Sequence, residues 1–300
     1  MYDALTDAEA AFLRYEDVRH RLPRARFAAE PVRAGTLAEV AHRYDAFILD
    51  AFGVLNVGET PIPGAIGRMA DLRAMGKRLV VLTNAASYTR AEAVAKYARL
   101  GFDFGPDEVV SSRDVAVARL PALSGTWGAF AAAGDTFGDI AADVGHAIDE
   151  PSLFDAAGGF LFLSSARWTP GLQERLVAAL AARPRPLVVA NPDLVAPRED
   201  GLTLEPGLYA HDALDRTGCA AAWFGKPFGD GFRDALARLE GIRPSRVAMV
   251  GDTLHTDVLG GAAAGIGTVL VARHGLFAGR DVAGYVARSG IVPDVIVETT

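Results

Sequence analysis

The 300-residue chain predicts an α/β protein: a doubly wound parallel sheet with a second α/β unit inserted into it. Three observations carry that reading. Short apolar runs alternate with helical stretches that end at glycine, as parallel strands alternate with crossover helices. Polar residues stand where those runs end: Asp50 after the first, Thr83 and Asn84 after the second, Asp252 after a later one. In open α/β sheets that edge is where ligands bind. These polar ends also lie on both sides of a block, about 113–222, that has strands and helices of its own.

Composition narrows the partners. The length fits about two domains of roughly 150 residues each, and the net charge of −7 argues against nucleic acid or an anionic membrane surface. There is no apolar run of membrane-spanning length and no signal-peptide layout, so a cytoplasmic location is expected. The single cysteine, Cys219, fits a reducing compartment and reads as apolar filler. No sequence feature points to an oligomeric state.

The elements follow in order. Thr6-Asp-Ala-Glu9 is a capping-box pattern opening a helix through about Arg19, stopped by Pro23. Residues 1–43 read as a helical appendage without catalytic signals. Ala46–Leu49 is a buried strand that meets Asp50 and breaks at Gly53. After the Pro61-Ile-Pro-Gly64 turn come a helix to Met75, the strand Arg78–Leu82, and a helix from Arg90 to Leu100. The inserted block holds the helix 114–120, strands near 127–132, 159–163 and 187–190, and helices 172–182 and 210–217. The core strand pattern is expected to resume at Trp223-Phe-Gly225 and to run through strands 246–250, 268–271 and 293–297. The predicted domains are therefore 44–112 with 223–300 for the core, and 113–222 for the insertion.

If the core is doubly wound, Asp50, Thr83, Asn84, Lys226, Asp252 and Asp257 meet at one edge. Alone, Asp50 reads equally well as a strand-end turn residue. Three acids and one lysine around a crevice present an electrostatic problem that a hard divalent cation solves. Mg²⁺ prefers about six oxygen ligands and usually keeps waters and a substrate phosphate.

In this order and spacing, Leu49-Asp-Ala-Phe-Gly-Val-Leu55, the Pro61–Gly64 turn, Leu82-Thr-Asn84, Gly225-Lys-Pro227 and Gly251-Asp-Thr-Leu-His-Thr-Asp257 resemble the haloacid-dehalogenase superfamily of aspartate-nucleophile hydrolases. More narrowly the chain is similar to the NagD-like, class IIA branch, which carries a large α/β cap between its second and third motifs. Asn191-Pro-Asp193 fits that branch too. The resemblance implies a phosphatase of small phosphorylated metabolites. Asp50 would be the nucleophile; Mg²⁺ would sit on Asp50, the main-chain carbonyl of Phe52, and Asp252. Asp257 would bind it directly, through water, or by orienting Asp252. Thr83, Asn84 and Lys226 would hold the phosphoryl oxygens.

Position 52 departs from the pattern. The family's phosphatases usually carry there a second aspartate that protonates the leaving group, and phenylalanine moves no proton. General acid–base help is worth about 10²–10⁴-fold, so the expected enzyme is slow or restricted to good leaving groups unless another base substitutes. His255 is the candidate for that role, against the plainer reading of a solvent-facing loop residue. Two alternatives stand beside the phosphatase: a 2-haloacid dehalogenase, whose halide leaves unprotonated but whose chemistry needs no metal, and a non-catalytic phosphometabolite binder. On the insertion, Arg167 with Trp168, and Asn191 with Asp193, are candidates for substrate contact, or else packing and turn residues. Trp127 and Trp223 read as core.

Overall fold

The computed structural model of the protein describes residues 7–27, 29–123 and 125–300. Seven parallel strands form its larger sheet, in the order Val32–Thr36, Val295–Thr299, Gly267–Val271, Val247–Gly251, Ala46–Leu49, Arg78–Thr83, Val109–Ser111. From the central strand Ala46–Leu49 the chain steps outward to Arg78–Thr83 and Val109–Ser111. The strands after the insertion step outward on the other side. The order therefore reverses between Ala46–Leu49 and Val247–Gly251, and a crevice opens at the carboxyl ends of those two.

Both central strands are buried throughout because helices cover both faces. Phe47 and Leu49 point into a cluster with Leu72 and Tyr97; Ala46 and Ile48 point the other way, toward Phe232 and Ala235. That alternation is the period of two expected of a strand. A second, five-stranded parallel sheet runs Ala221–Trp223, Leu187–Val189, Gly159–Phe162, Trp127–Phe130, Val144–His146. Phe130, Phe160 and Phe162 pack one of its faces with Leu176 and Leu180 of the helix Pro170–Ala182. The antiparallel hairpin Val195–Arg198 with Gly201–Leu204 leaves this unit toward the crevice. The α/β class, with a second α/β unit inserted in the first, matches expectation.

Three local expectations are corrected. The strand expected to reopen the core at Trp223 instead closes the second sheet, pairing Leu187–Val189 with Ala221–Trp223. A three-residue edge strand carries no mark of which sheet it joins. Conversely, the helix Ser112–Val117 packs on the core helix Gly229–Ala237 through Val115 and Ala116, because its apolar face meets Phe232 and Ala235.

The N-terminal segment is not purely helical either. Val32–Thr36 forms the edge of the large sheet, with a mostly exposed pattern interrupted by Gly35 that reads as loop. The helix Ala8–Asp17 is capped by Asp7, whose carboxylate accepts the Glu9 N–H at 2.7 Å; Thr6 lies outside the described residues. This helix bridges both units. Phe12 and Tyr15 pack with Leu194 and Leu208 of the insertion and with Leu254, Leu259 and Phe277 of the core. Arg14 and Arg21 reach Asp215 at 2.5 and 2.6 Å. Among the described residues no helix is long and apolar enough to cross a membrane.

Candidate active site

Leu49 and Val250 are register partners, so the residues that follow them, Asp50 and Asp252, emerge close together where the strand order reverses. Asp257 joins them from the helical turn Leu254–Val258, and one oxygen from each of the three carboxylates lies within 4.8 Å of the others. Lys226 Nζ sits 2.5 Å from Asp50 Oδ1 and 2.8 Å from Asp257 Oδ1. Asp252 is held at both oxygens: Oδ2 accepts the Leu276 N–H at 2.7 Å and Oδ1 accepts the Thr253 hydroxyl at 2.9 Å.

The backbone closes tightly on Asp252. At Gly275, φ +89°, a Cβ would fall 1.9 Å from Asp252 Oδ2, and at Gly53, φ +75°, 2.6 Å from its Cβ. Only glycine fits either the conformation or the space.

Burial dominates the electrostatics. It pushes the Asp50 carboxyl up to about 7, with Lys226 opposing and Asp257 adding to the rise. Burial, then Asp257 and Asp50, push Asp252 up as well. For Lys226 burial works downward, yet Asp257, Asp50 and Asp193 raise it overall. Three acids facing one ammonium leave uncompensated negative charge among oxygen-only donors, and that donor set fits a hard divalent cation.

Asn84 fixes the lysine. Its Nδ2 donates to the Lys226 carbonyl at 2.9 Å and to Asp193 Oδ1 at 2.7 Å, while its Oδ1 accepts the Lys226 N–H at 2.7 Å. The Asn84 amide is thus committed to positioning, and what this loop can offer a phosphoryl group is main-chain N–H and the Thr83 hydroxyl. Asp193 comes from the opposite, inserted unit and its carboxyl is pushed well up by burial.

The crevice encloses about 240 Å³, at the small end for ligand sites. Its wall is made by Phe52, Tyr88 and Lys96 of the core, and by Asn191, Arg198 and Glu205 of the inserted unit. Two cations flank the Phe52 ring, Arg198 with Cζ 4.4 Å from the centroid and Lys96 with Nζ 5.2 Å from it. Lys96 is paired with Glu59 at 2.6 Å and Arg198 with Glu205 at 3.4 Å.

Two predicted residues do not reach the crevice. His255 is fully buried on the far side of its helical turn, with Nε2 2.5 Å from Glu16 Oε1 and its ring stacked on Tyr15 at 4.9 Å. In the π-helical turn Leu254–Val258, Thr256 with the preceding Thr253 lines the crevice and Asp257 joins the acids, while His255 faces the N-terminal helix. His255 is therefore neither a base nor solvent-facing. Arg167 pairs with Asp149 at 2.8 Å on the exposed side of the insertion, and Trp168 packs among Phe130 and Phe162.

The sequence reading missed Lys96, Arg198 and Glu205. Lys96 had a signal: with Ala93, Tyr97 and Leu100 it occupies an i, i+3, i+4, i+7 stripe, so a lysine lies on the core-facing side of its helix. Arg198 and Glu205 had none, because their approach to Phe52 depends on how the two units meet.

A model of the haloacid dehalogenase-like hydrolases matches residues 47–146, and a second, HAD-hydrolase-like, matches 223–299. Human glycerol-3-phosphate phosphatase is 31% identical over 312 aligned residues, covering 91% of this chain and 92% of that protein. A possible sugar phosphatase of the HAD superfamily from Cytophaga hutchinsonii superposes with TM-score 0.76 at 26% identity, covering 89% of this chain and 98% of that one. The p-nitrophenyl phosphatase from Archaeoglobus fulgidus superposes with TM-score 0.64 at 25% identity, over 85% and 96% of the respective chains.

Proposed function

The chain belongs to the haloacid dehalogenase-like hydrolases, and on that premise we propose that it is a Mg²⁺-dependent phosphohydrolase of small phosphorylated metabolites, acting through an aspartyl phosphate and restricted to good leaving groups. The observation that carries this reading is Lys226 spanning Asp50 and Asp257 within one cluster of three buried carboxylates. Asp50, Asp252, the main-chain carbonyl of Phe52 and, directly or through water, Asp257 would hold the ion, whose charge offsets that of the phosphoryl oxygens.

Asp50 attacks phosphorus with a carboxylate oxygen; the bond to the leaving oxygen breaks, and its electron pair departs with that oxygen. Water then attacks the aspartyl phosphate, releasing inorganic phosphate, restoring the carboxylate and giving one proton to solvent. Lys226 opposes the protonation of Asp50 that burial favours and faces the transferring group. The Thr83 hydroxyl and the loop N–H groups complete the phosphoryl cradle. The inserted unit roofs the crevice as a cap, with Asn191 and Asp193 at its rim. The relatives' names point to glycerol, sugar and p-nitrophenyl phosphates. Phe52 favours the last kind, whose leaving group needs no proton.

Phosphate release from p-nitrophenyl phosphate, acetyl phosphate and glycerol 3-phosphate, with Mg²⁺ or EDTA, tests the reading. Mg²⁺-dependent turnover of the first two, much slower turnover of the third, and loss of about 10⁴-fold or more in Asp50→Asn are expected. Chloride release from a 2-chloroacid indifferent to EDTA, or phosphate binding with no turnover of any ester, overturns it.

A further inference from the structure

Resting on that reading, we propose that Arg198 and Lys96 stabilise the departing oxygen by charge in place of a proton, which makes acyl and enol phosphates, whose leaving groups depart as stabilised oxyanions, the substrate class of this crevice. In-line displacement puts the leaving oxygen opposite the attacking one. With Asp50 on the floor, that oxygen points outward, into the wall of Phe52, Tyr88, Lys96, Asn191, Arg198 and Glu205.

Burial pushes up the two carboxyls that line the crevice from the inserted unit, Glu205 and Asp193, but each is already committed to donors, Asp193 Oδ1 to Asn84 Nδ2 at 2.7 Å. Glu205 is taken up as an acceptor: Oε1 accepts from the Thr203 hydroxyl at 2.8 Å and from Arg198 at 3.4 Å, and Oε2 accepts from Asn191 Nδ2 at 3.1 Å. It anchors Arg198. The Tyr88 hydroxyl is pushed up to about 12 by burial and gives up its proton reluctantly.

What the wall does supply is positive charge on an aromatic support. A ring attracts cations to its face without neutralising them. An aspartate at position 52 would pair with Arg198 and Lys96 and cancel them. Phenylalanine orders the guanidinium at 4.4 Å and the ammonium at 5.2 Å and leaves both able to meet a developing anion. Their existing partners do not preclude this: Glu59 is largely exposed, and the Arg198–Glu205 contact is long. The reaction balances without an acid. The P–O bond electrons stay on the leaving oxygen, and the proton released when water opens the aspartyl phosphate goes to solvent or to that anion.

The test is kcat/KM over substituted phenyl phosphates graded by phenol acidity, with acetyl phosphate and phosphoenolpyruvate alongside, for wild type, Arg198→Met, Arg198→Lys, Lys96→Met, Tyr88→Phe and Asp50→Asn. The Met variants should lose little with the most acidic phenol and about 10- to 100-fold with the least acidic, the scale of one charged hydrogen bond. Arg198→Lys and Tyr88→Phe should keep the wild-type slope. Equal losses of the Met variants across the series, or a steeper slope in Tyr88→Phe, overturns the inference and leaves the phosphatase standing. Failure of wild type to show Asp50-dependent release from any ester brings down both.

Discussion

The floor and the wall of one crevice treat charge in opposite ways. On the floor, Asp50, Asp252 and Asp257 face a single ammonium, all four nearly inaccessible to water, so negative charge is left over. On the wall, two cations lie against an uncharged ring, each with one loosely held carboxylate: Glu59 is largely exposed and Glu205 stands 3.4 Å from Arg198. The floor thus carries the charge that a cation would offset on the proposed mechanism, whereas the wall presents cations to whatever leaves. On the proposed mechanism, the half of the reaction that handles phosphorus and the half that handles the leaving group are therefore separable, and a substitution in one should leave the other measurable.

The largest effect should come from breaking the floor's balance. Lys226→Met leaves Asp50 and Asp257 buried without their counter-ion, and removing one partner of a buried pair costs about 3–5 kcal/mol. Urea unfolding without divalent ions should show that loss, and Mg²⁺ should restore part of it, because a ligand of the native state stabilises it by mass action. Unfolding that is unchanged by the substitution and by Mg²⁺ would mean the three acids share no cation.

The wall should respond more modestly, and conditionally. Phe52→Asp introduces a carboxyl beside Arg198, which favours its ionised form and mutes it as an acid. The single variant should gain less than about tenfold on glycerol 3-phosphate, and Phe52→Asp with Arg198→Met up to about 10², the lower range for a positioned acid. If the double variant binds Mg²⁺ as wild type does and gains nothing, position 52 is not what limits alkyl esters.

The same contrast governs what could be read in advance. The floor was legible because each of its acids ends or follows a buried strand, and strand ends in a doubly wound sheet are forced to one edge. Phe52 stood out because the family resemblance implies an aspartate two residues past Asp50. The wall was not legible, because Arg198 and Glu205 sit on a hairpin whose position depends on two units meeting, a tertiary fact with no local periodicity. Lys96 was half legible as a charge on an apolar stripe. His255 was misread because five residues of loop-like sequence coil into a helical turn, which turns it away from its neighbours. Val32–Thr36 escaped notice since an edge strand buries little and need not alternate.

The smallest effect tests what joins floor to wall. Tyr15, from the N-terminal helix, stacks on His255, two residues before Asp257, and its hydroxyl accepts the buried Leu194 N–H at 3.1 Å, one residue after Asp193. One side chain thus braces the floor's helical turn and the rim of the roof. Tyr15→Phe keeps the stacking and removes only the acceptor, so it strands a buried N–H at a cost of about 1–3 kcal/mol. A matching drop in urea stability is expected, with a loss of a few-fold in acetyl phosphate turnover and unchanged Mg²⁺ affinity, since the hydroxyl braces the roof and not the acids. If Mg²⁺ affinity falls as far as turnover does, roof and floor are mechanically one piece, and the separation drawn between them fails.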